Sequence, residues 1–292
     1  MGTIINDDDA SAVSGAREYK FTSKDFERIK KLIYERAGIS LAPSKQNMVY
    51  SRLAKRLRAK GLNSFDEYLS YLEHKNNSEE WEAFTNALTT NLTAFFREQH
   101  HFPMLEKHVE KRSNNQKIQL WCSASSTGEE PYSMAMAMVQ AFKTMTPPVH
   151  ILATDLDTNV LETAQQGVYS LDRLEKLPKD KLKRFFLKGT GVHEGSARVR
   201  PELRNLITFR QLNLLEDGWP IRGPFDAIFC RNVMIYFDKP TQYKILKKFV
   251  PLLAKDGLLF AGHSESFQHA VDLFKLREKT VYELTKVPGS EP

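Results

Sequence analysis

Four stretches of the chain carry polar groups where an α/β sheet holds its ligands, just past the end of an apolar run. The first is Cys122-Ser123-Ala124-Ser125-Ser126-Thr127-Gly128-Glu129-Glu130-Pro131, a tight turn of small residues. Small side chains let a ligand come close to the backbone. With a single glycine and two carboxylates facing the pocket, a pyrophosphate site of the G-x-G-x-x-G kind is disfavoured and a cationic ligand fits better. The same residues also suit a plain helix start, hydroxyl-capped with acids in its first turn. The second stretch is Ala153-Thr154-Asp155-Leu156-Asp157. Asp155 lies about 25 residues past the first turn, a spacing suited to hydrogen bonds with both hydroxyls of a ribose, and Asp157 can serve as helix cap without it. The third, Gln211-Leu212-Asn213-Leu214, is a weaker signal: Asn213 offers both a donor and an acceptor to an adenine edge. The fourth is Arg231-Asn232-Val233-Met234-Ile235-Tyr236-Phe237, polar groups at the mouth of the sheet with an aromatic a few residues on. Tyr236 is either a site residue or an aromatic packed at the sheet edge.

One polar group falls outside the sheet. In Asn91-Leu92-Thr93-Ala94-Phe95-Phe96-Arg97, Arg97 can pair with a carboxylate and Thr93 can hydrogen-bond one, at a domain junction of the kind that ligands favour. The residues alone fit better with a linker helix whose Phe95 and Phe96 pack and whose Arg97 is solvated. His100 and His101 are neighbours and face different ways on a helix, a poor metal pair, and no His/Cys cluster has zinc spacing, so no metal is expected. His263 is given no catalytic role.

Two kinds of architecture must position these groups. From about 22 to 90 the apolar spacing is helical throughout, which predicts a small bundle. Thr22 or Ser23 caps a helix carrying Phe26, Ile29, Leu32 and Ile33, and Gly38 ends it. A second helix after Pro43 and Ser44 buries Val49, Leu53 and Leu57. Ser64 caps a third with Phe65, Tyr68, Leu69 and Leu72, and Trp81, Phe84, Leu88 and Leu92 continue the period. After about 115, strand-length runs at 118–122, 149–154, 207–212, 225–230, 258–261 and 281–284 alternate with helical stretches at about 131–142, 156–166 and 239–254. That alternation predicts a mostly parallel sheet with helices on both faces. The segment 181–206 breaks the rhythm, with Gly-Thr-Gly at 189–191 and alternation at 197–200, and predicts an inserted antiparallel β-subdomain. The expected domains are thus a disordered tail over 1–16, a helical domain over 17–90, and an α/β domain over 91–292.

Composition narrows the function class. The chain has 292 residues, of which 41% are hydrophobic and 27% charged, the balance of a globular protein. No apolar run approaches the roughly 18 residues of a membrane span, and no secretory leader is expected from the N-terminus. Two cysteines, each inside an apolar run, point to a reducing cytosol. The net charge of +6 predicts an acidic partner. Residues 17–60 hold thirteen Lys/Arg against four Asp/Glu, more than the whole surplus. The helix over 45–60, with Arg52, Lys55, Arg56 and Arg58, contains no acid and is expected to dock that partner.

Together, Asn-Leu-Thr-Ala-Phe-Phe-Arg (91–97), Ser-Thr-Gly-Glu-Glu-Pro-Tyr-Ser (126–133), Ala-Thr-Asp-Leu-Asp (153–157), Phe-Asp-Ala-Ile-Phe-Cys-Arg-Asn-Val-Met-Ile-Tyr-Phe (225–237) and Gly-Leu-Leu-Phe-Ala-Gly-His-Ser-Glu (257–265) resemble the CheR-type chemotaxis receptor methyltransferases. The likeness runs from about 20 to about 285, with the motifs in order and without departure. It implies a class I S-adenosylmethionine-dependent methyltransferase fold (Rossmann-like) with an N-terminal helical domain and an inserted β-subdomain. It implies methyl esterification of glutamate side chains on the cytoplasmic helices of chemoreceptors, with S-adenosylhomocysteine as product. By motif position, the cofactor contacts would be Asn91, Thr93, Arg97, Glu130, Asp155, Asn213, Leu214, Arg231 and Asn232, with Arg97 and Tyr236 as the catalytic pair. Gly189 and Gly191 resemble the loop of members whose β-subdomain docks a peptide from the receptor C-terminus. A cytoplasmic monomer recruited to membrane-bound receptors is expected.

Two rival functions remain at this level. One is methylation of another acceptor, a small molecule or RNA. A nucleic-acid partner would call for aromatics among the basic residues, and the basic helix offers only Tyr50. The Pro-Pro-Tyr element of enzymes that methylate base amines is absent as well. The other is a binding module that keeps the fold without the chemistry, against which Arg97, Glu130, Asp155 and Tyr236 stand intact.

Overall fold

The computed structural model describes residues 17–74, 78–110 and 117–285. The expected tail over 1–16 lies outside them.

Four helices form the N-terminal unit: α1 (Ser23–Ala37), α2 (Gln46–Lys60), α3 (Phe65–His74) and α4 (Ser78–Leu88). Thr22 starts α1 with a reciprocal cap, its hydroxyl accepting from the Asp25 N–H at 3.2 Å while the Asp25 carboxylate accepts from the Thr22 N–H at 2.8 Å. Gly38 ends α1 in the left-handed region, where a side chain is disfavoured. A short 3-10 turn over Pro43–Lys45 leads into α2, and the Ser64 hydroxyl accepts from the Glu67 N–H at the head of α3. The predicted core positions of these helices are buried against one another. Leu92 is the exception: α4 stops at Leu88, and Leu92 is 78% exposed beyond it.

After α5 (His101–Glu110) the α/β unit follows in chain order. It comprises β1 (Ile118–Cys122), α6 (Glu129–Ala141), β2 (Val149–Asp155), α7 (Thr158–Gln166), β3 (Val168–Ser170), α8 (Leu171–Leu174), α9 (Lys179–Phe185), β4 (Phe186–Lys188), β5 (Ser196–Val199), α10 (Pro201–Arg204), β6 (Ile207–Gln211), β7 (Phe225–Cys230), α11 (Lys239–Phe249), β8 (Leu253–Ala261), β9 (Phe274–Glu278) and β10 (Val281–Leu284). Seven strands form one sheet in the order β6-β2-β1-β7-β8-β10-β9. The first five are parallel, and β10 and β9 complete the sheet antiparallel. Strand β9 had no sequence signal: only Phe274 in it is buried, and Lys275, Leu276, Arg277 and Glu278 are exposed at the edge. Separate hydrophobic cores cover the two faces of the sheet, one built on α5 and α6, the other on α11 with Trp121 and Trp219.

The inserted sheet has the order β3-β5-β4, all antiparallel. It begins at Val168, earlier than the predicted 181, because the strand that pairs with 196–198 is supplied by the residues just after α7. The β4–β5 turn requires Gly189, where a Cβ would lie 2.1 Å from the His193 carbonyl oxygen, and Gly191 sits at φ 60°. At its tip Val192 is 96% exposed.

Two of the four predicted docking residues on α2 are turned inward. Arg56 grips the buried Glu80 carboxylate with two hydrogen bonds of 3.0 and 2.7 Å, joined by Lys60 at 3.1 Å and the Tyr68 hydroxyl at 2.9 Å. Burial alone would raise the Glu80 carboxyl, but these partners outweigh it and hold it below the usual range. Arg52 donates to the carbonyls of Ala87 and Thr89, closing the C-terminus of α4. Lys55 and Arg58 do face solvent, Arg58 beside Glu18 at 3.4 Å. The acid-free helix draws its counter-charges from elsewhere, chiefly from Glu80.

Candidate active site

Strand β1 lies between β2 and β7, so the chain leaves it in one direction and returns on its other side. The crevice at such a reversal, beyond the carboxyl ends of the strands, is where α/β sheets bind ligands. The cleft found there encloses about 910 Å³ including its mouth. Its floor is Ser123, Ala124 and Ser126 after β1, Asp155 and Leu156 after β2, Leu212, Asn213 and Leu214 after β6, and Arg231, Asn232 and Val233 after β7. Its opposite wall comes from the helical unit and the segment after it, through Ala37, Ile39, Leu88, Thr90, Asn91, Leu92, Thr93 and Arg97. Glu130 and Tyr236 line it too, so all ten predicted cofactor and catalytic residues meet in one place.

The turn after β1 is folded tightly, with Ser126 at φ 47° and Gly128 at φ 97°. A Cβ on Gly128 would lie 2.8 Å from both the Ala164 Cβ and the Tyr169 hydroxyl. The two glutamates that follow point in different directions, against the expectation that both face the pocket. Glu129 pairs with Arg173 of α8 and accepts from the Thr127 hydroxyl at 2.7 Å. Glu130 turns into the cleft, one oxygen on the Cys122 thiol at 3.2 Å and the other 3.3 Å from Arg231 Nε. Successive positions on a helix diverge by about 100°, which sends the pair to different neighbours. Burial pushes the Glu130 carboxyl up, and the Arg231 charge opposes that.

Asp155 ends β2. Its Oδ2 accepts from the Ser126 N–H at 2.7 Å and its Oδ1 from the Asp157 N–H at 3.0 Å. Burial pushes its carboxyl up to about 6, with the backbone donors pulling the other way. Asp157 caps α7, accepting from the Asn159 N–H at 2.9 Å. A carboxylate offers about four lone-pair positions. The capacity left on Asp155 suits the hydroxyls of a ribose.

The segment 91–98 is irregular, turning over 95–98, and not a linker helix. Phe95 is buried against Tyr169 and Phe186, and the Phe96 N–H donates to Ser133 Oγ at 2.9 Å. Phe96 and Glu98 take positive φ values of 52° and 54°. Arg97 is half-buried, its guanidinium on the Leu92 carbonyl at 2.9 Å. The Asn91 amide donates to Asp157 at 2.8 Å. Asn213 is less free than its side chain suggested: its amide donates to the Arg36 carbonyl at 3.2 Å and its oxygen accepts from the Leu215 N–H at 3.0 Å. Asn213 and Leu214 therefore border the cleft mainly as backbone and apolar surface.

Arg231 is fully buried between Glu98 at 3.6 Å and Glu130 at 3.3 Å, and it also donates to the Arg97 carbonyl. Its Nη1 has no hydrogen-bond partner among the described residues. Asn232 stands at φ 58° with its amide 3.3 Å from Glu98 Oε1. Tyr236 ends a 3-10 turn, and its hydroxyl reaches across the cleft to the Thr90 carbonyl at 3.4 Å, so it is not a sheet-edge packing residue. The sequence had left Glu98 and Glu265 without roles. Both join segments of the cleft to one another, and the signal available was their place inside or directly beside the quoted motifs.

Two arginines and three carboxylates, Arg97, Arg231, Glu98, Glu130 and Asp155, leave this region one negative charge in excess when all are ionised. Acceptors for a ribose, a surplus of anion for a cation and an unpartnered guanidinium N–H for a carboxylate fit S-adenosylmethionine. Among the described residues no group of His, Cys, Asp and Glu could hold a metal ion, and no helix is long and apolar enough to cross a membrane.

A mostly parallel sheet of this order, with an acid after its second strand and an anionic cleft at the reversal, defines an S-adenosylmethionine-dependent methyltransferase. The family model for the CheR methyltransferase SAM-binding domain matches residues 91–283, and that for the CheR methyltransferase all-alpha domain matches residues 24–89. The chain is 56% identical over 261 residues to the chemotaxis protein methyltransferase of Salmonella typhimurium, covering 89% of this chain and 90% of that protein. It is 55% identical to that of Escherichia coli over 89% of this chain and 91% of the other. It is 53% identical to chemotaxis protein methyltransferase 2 of Pseudomonas aeruginosa over 93% of this chain and 97% of the other. The chain belongs to the CheR methyltransferase family, enzymes of chemotactic adaptation.

Proposed function

We propose that the protein esterifies glutamate side chains on the cytoplasmic helical region of chemoreceptors. The observation that carries this is the convergence of Arg97, Glu130, Asp155, Arg231 and Tyr236 on one cleft whose far wall belongs to a basic helical unit. Asp155 would hold the cofactor's ribose, and Arg231, with Asn91, Thr93, Asn232 and Glu130, its amino-acid end. Leu214 and the backbone of Asn213 would border its adenine. Bound there, S-adenosylmethionine supplies a methyl group on a sulfonium.

A glutamate carboxylate has an ordinary pKa of about 4.3 and is ionised at neutral pH. No residue of the cleft has to take a proton from it. The work left to the chain is alignment and exclusion of water, and alignment alone is worth of order 7 kcal/mol in ideal cases. Arg97, held by the Leu92 carbonyl, is suited to orient a carboxylate, either the incoming glutamate or the cofactor's own. Tyr236, tethered to Thr90, narrows the space beside the reacting groups.

For receptor docking the exposed charges Lys55 and Arg58 on α2 are the better candidates, with Arg52 and Arg56 shaping the bundle that carries them. Receptor methylation segments are acidic, and complementary charge would steer and register the enzyme along them. The β4–β5 turn with Gly189 and Gly191 is the candidate dock for a peptide from the receptor C-terminus. The domains would divide at about 90, with the enzyme acting as a monomer in the cytoplasm at membrane-bound receptors.

The test uses S-adenosylmethionine labelled in its methyl group and membranes carrying a chemoreceptor. Transfer of label to the receptor, released by mild base as methanol, is the expected result. Base-stable label would mean methylation at nitrogen or carbon and the wrong substrate class.

A further inference from the structure

The buried carboxylates of this region have different partners. Glu98 and Glu130 lie against Arg231, and Glu129 against Arg173. Glu265, only 6% exposed, has no ion-pair partner among the described residues. Its oxygens accept main-chain N–H groups instead: Oε2 from Asn232 at 3.0 Å and from Gly262, Oε1 from Met234 at 2.8 Å. Three main-chain N–H groups from two separate segments thus converge on one carboxylate.

The segment so gripped is the one that ends in the cleft. Asn232 sits at φ 58°, in the left-handed region, which asparagine tolerates better than most side chains. Glu265 holds its backbone and Glu98 its side chain. Gly262 completes the fit, because a Cβ there would lie 2.5 Å from Asn232 Nδ2 and 2.7 Å from Glu265 Oε2. Four residues beyond Asn232 comes Tyr236.

We propose that Glu265 is a positioning residue for methyl transfer. By accepting the N–H groups of Asn232 and Met234 it fixes the course of 231–236, and with it the placement of Arg231, Asn232 and Tyr236 in the cleft. The proposal rests on the reading that this cleft holds S-adenosylmethionine.

The experiment compares Glu265→Gln and Glu265→Asp with the unaltered protein. The first keeps the shape and replaces an acceptor oxygen with a donor. The second keeps the charge and shortens the reach. Cofactor affinity is measured by calorimetry and methyl transfer by initial rates, each well below the variant's own melting temperature and normalised to sites that bind cofactor. Glu265→Gln should weaken cofactor binding and lower kcat by about tenfold or more each, the consequence of losing a charge-assisted hydrogen bond, while the KM for receptor stays unchanged. Glu265→Asp should recover part of the loss. A lower melting temperature with unchanged Kd and kcat in the folded fraction would make Glu265 a structural residue only and overturn the proposal. Failure of both variants to fold would do the same. If the unaltered protein binds no S-adenosylmethionine, the reading of the cleft is what fails.

Discussion

The Tyr236 hydroxyl donates to the Thr90 carbonyl at 3.4 Å, joining the end of the β7 loop to the segment that follows the helical unit. The bond is long, and a neutral hydrogen bond of good geometry contributes only about 1 kcal/mol. Tyr236→Phe should therefore lower stability by less than about 1 kcal/mol. If Tyr236 sits beside the reacting groups, kcat should fall by about tenfold or more, the range of a contact made in the transition state, with cofactor affinity nearly unchanged. Thermal melting and steady-state methyl transfer separate the two, and an unchanged kcat would remove Tyr236 from the catalytic pair.

Asp155 predicts two opposite pH dependences. Its carboxyl is raised to about 6 by burial, so folding favours the protonated form. The stability this adds is present in full below the unfolded value of about 3.9 and is lost as pH rises through 6, a change of about 3 kcal/mol. Cofactor binding should run the other way, because only the carboxylate offers all its lone pairs to a ribose. Affinity should strengthen about tenfold between pH 5 and pH 7. Calorimetry over that range decides, and the same slope in Asp155→Asn would exclude Asp155 as its source.

On α2 the consequences of substitution should divide by which way the side chain points. Arg56→Ala strands the buried Glu80 carboxylate beside Lys60 and should destabilise by about 3 kcal/mol, the low end for a broken buried pair since Arg56 is partly exposed. Charge reversal at Lys55 and Arg58 should change stability by less than about 0.5 kcal/mol and still raise the KM for receptor. Denaturant melts and receptor methylation at several salt concentrations test the contrast. Loss of stability in the Lys55 and Arg58 variants would remove the ground for separating the two classes.

Gly128→Ala meets two obstacles, a backbone at φ 97° and a 2.8 Å approach to both Ala164 and Tyr169. Strain and overpacking of this kind each destabilise by about 1–3 kcal/mol. Melting should register that sum, and cofactor affinity should fall with it as the turn shifts. A variant with unaltered melting would show that the turn has slack.

The sequence was most legible where burial and periodicity agree. The core positions of α1 to α3, and the strands β1, β2 and β7, follow from apolar spacing alone, because each such residue faces a core of its own. The site was legible as a set, since its members sit directly after those strands. Partners were not. That Glu129 turns to Arg173 and Glu130 to Arg231 depends on which neighbour lies on each side of α6, and those neighbours are far along the chain. The same holds for Arg56 and Glu80, and for the Asn213 amide on the Arg36 carbonyl. Strand β9 left no pattern because it buries only Phe274 and exposes the four residues that follow.

The inserted sheet is fastened to the turn after β1 at its base and is free at its tip. Tyr169 donates to the Thr127 carbonyl at 2.7 Å and Arg173 reaches both Thr127 and Glu129, whereas Val192 stands in solvent. This sets the limits for anyone recombining such enzymes. An exchange of the whole insert would carry away half of the joint that shapes residues 126–130. An exchange confined to the turn between β4 and β5 would leave that joint whole, so the tip can be varied while the turn at residues 126–130 is inherited intact.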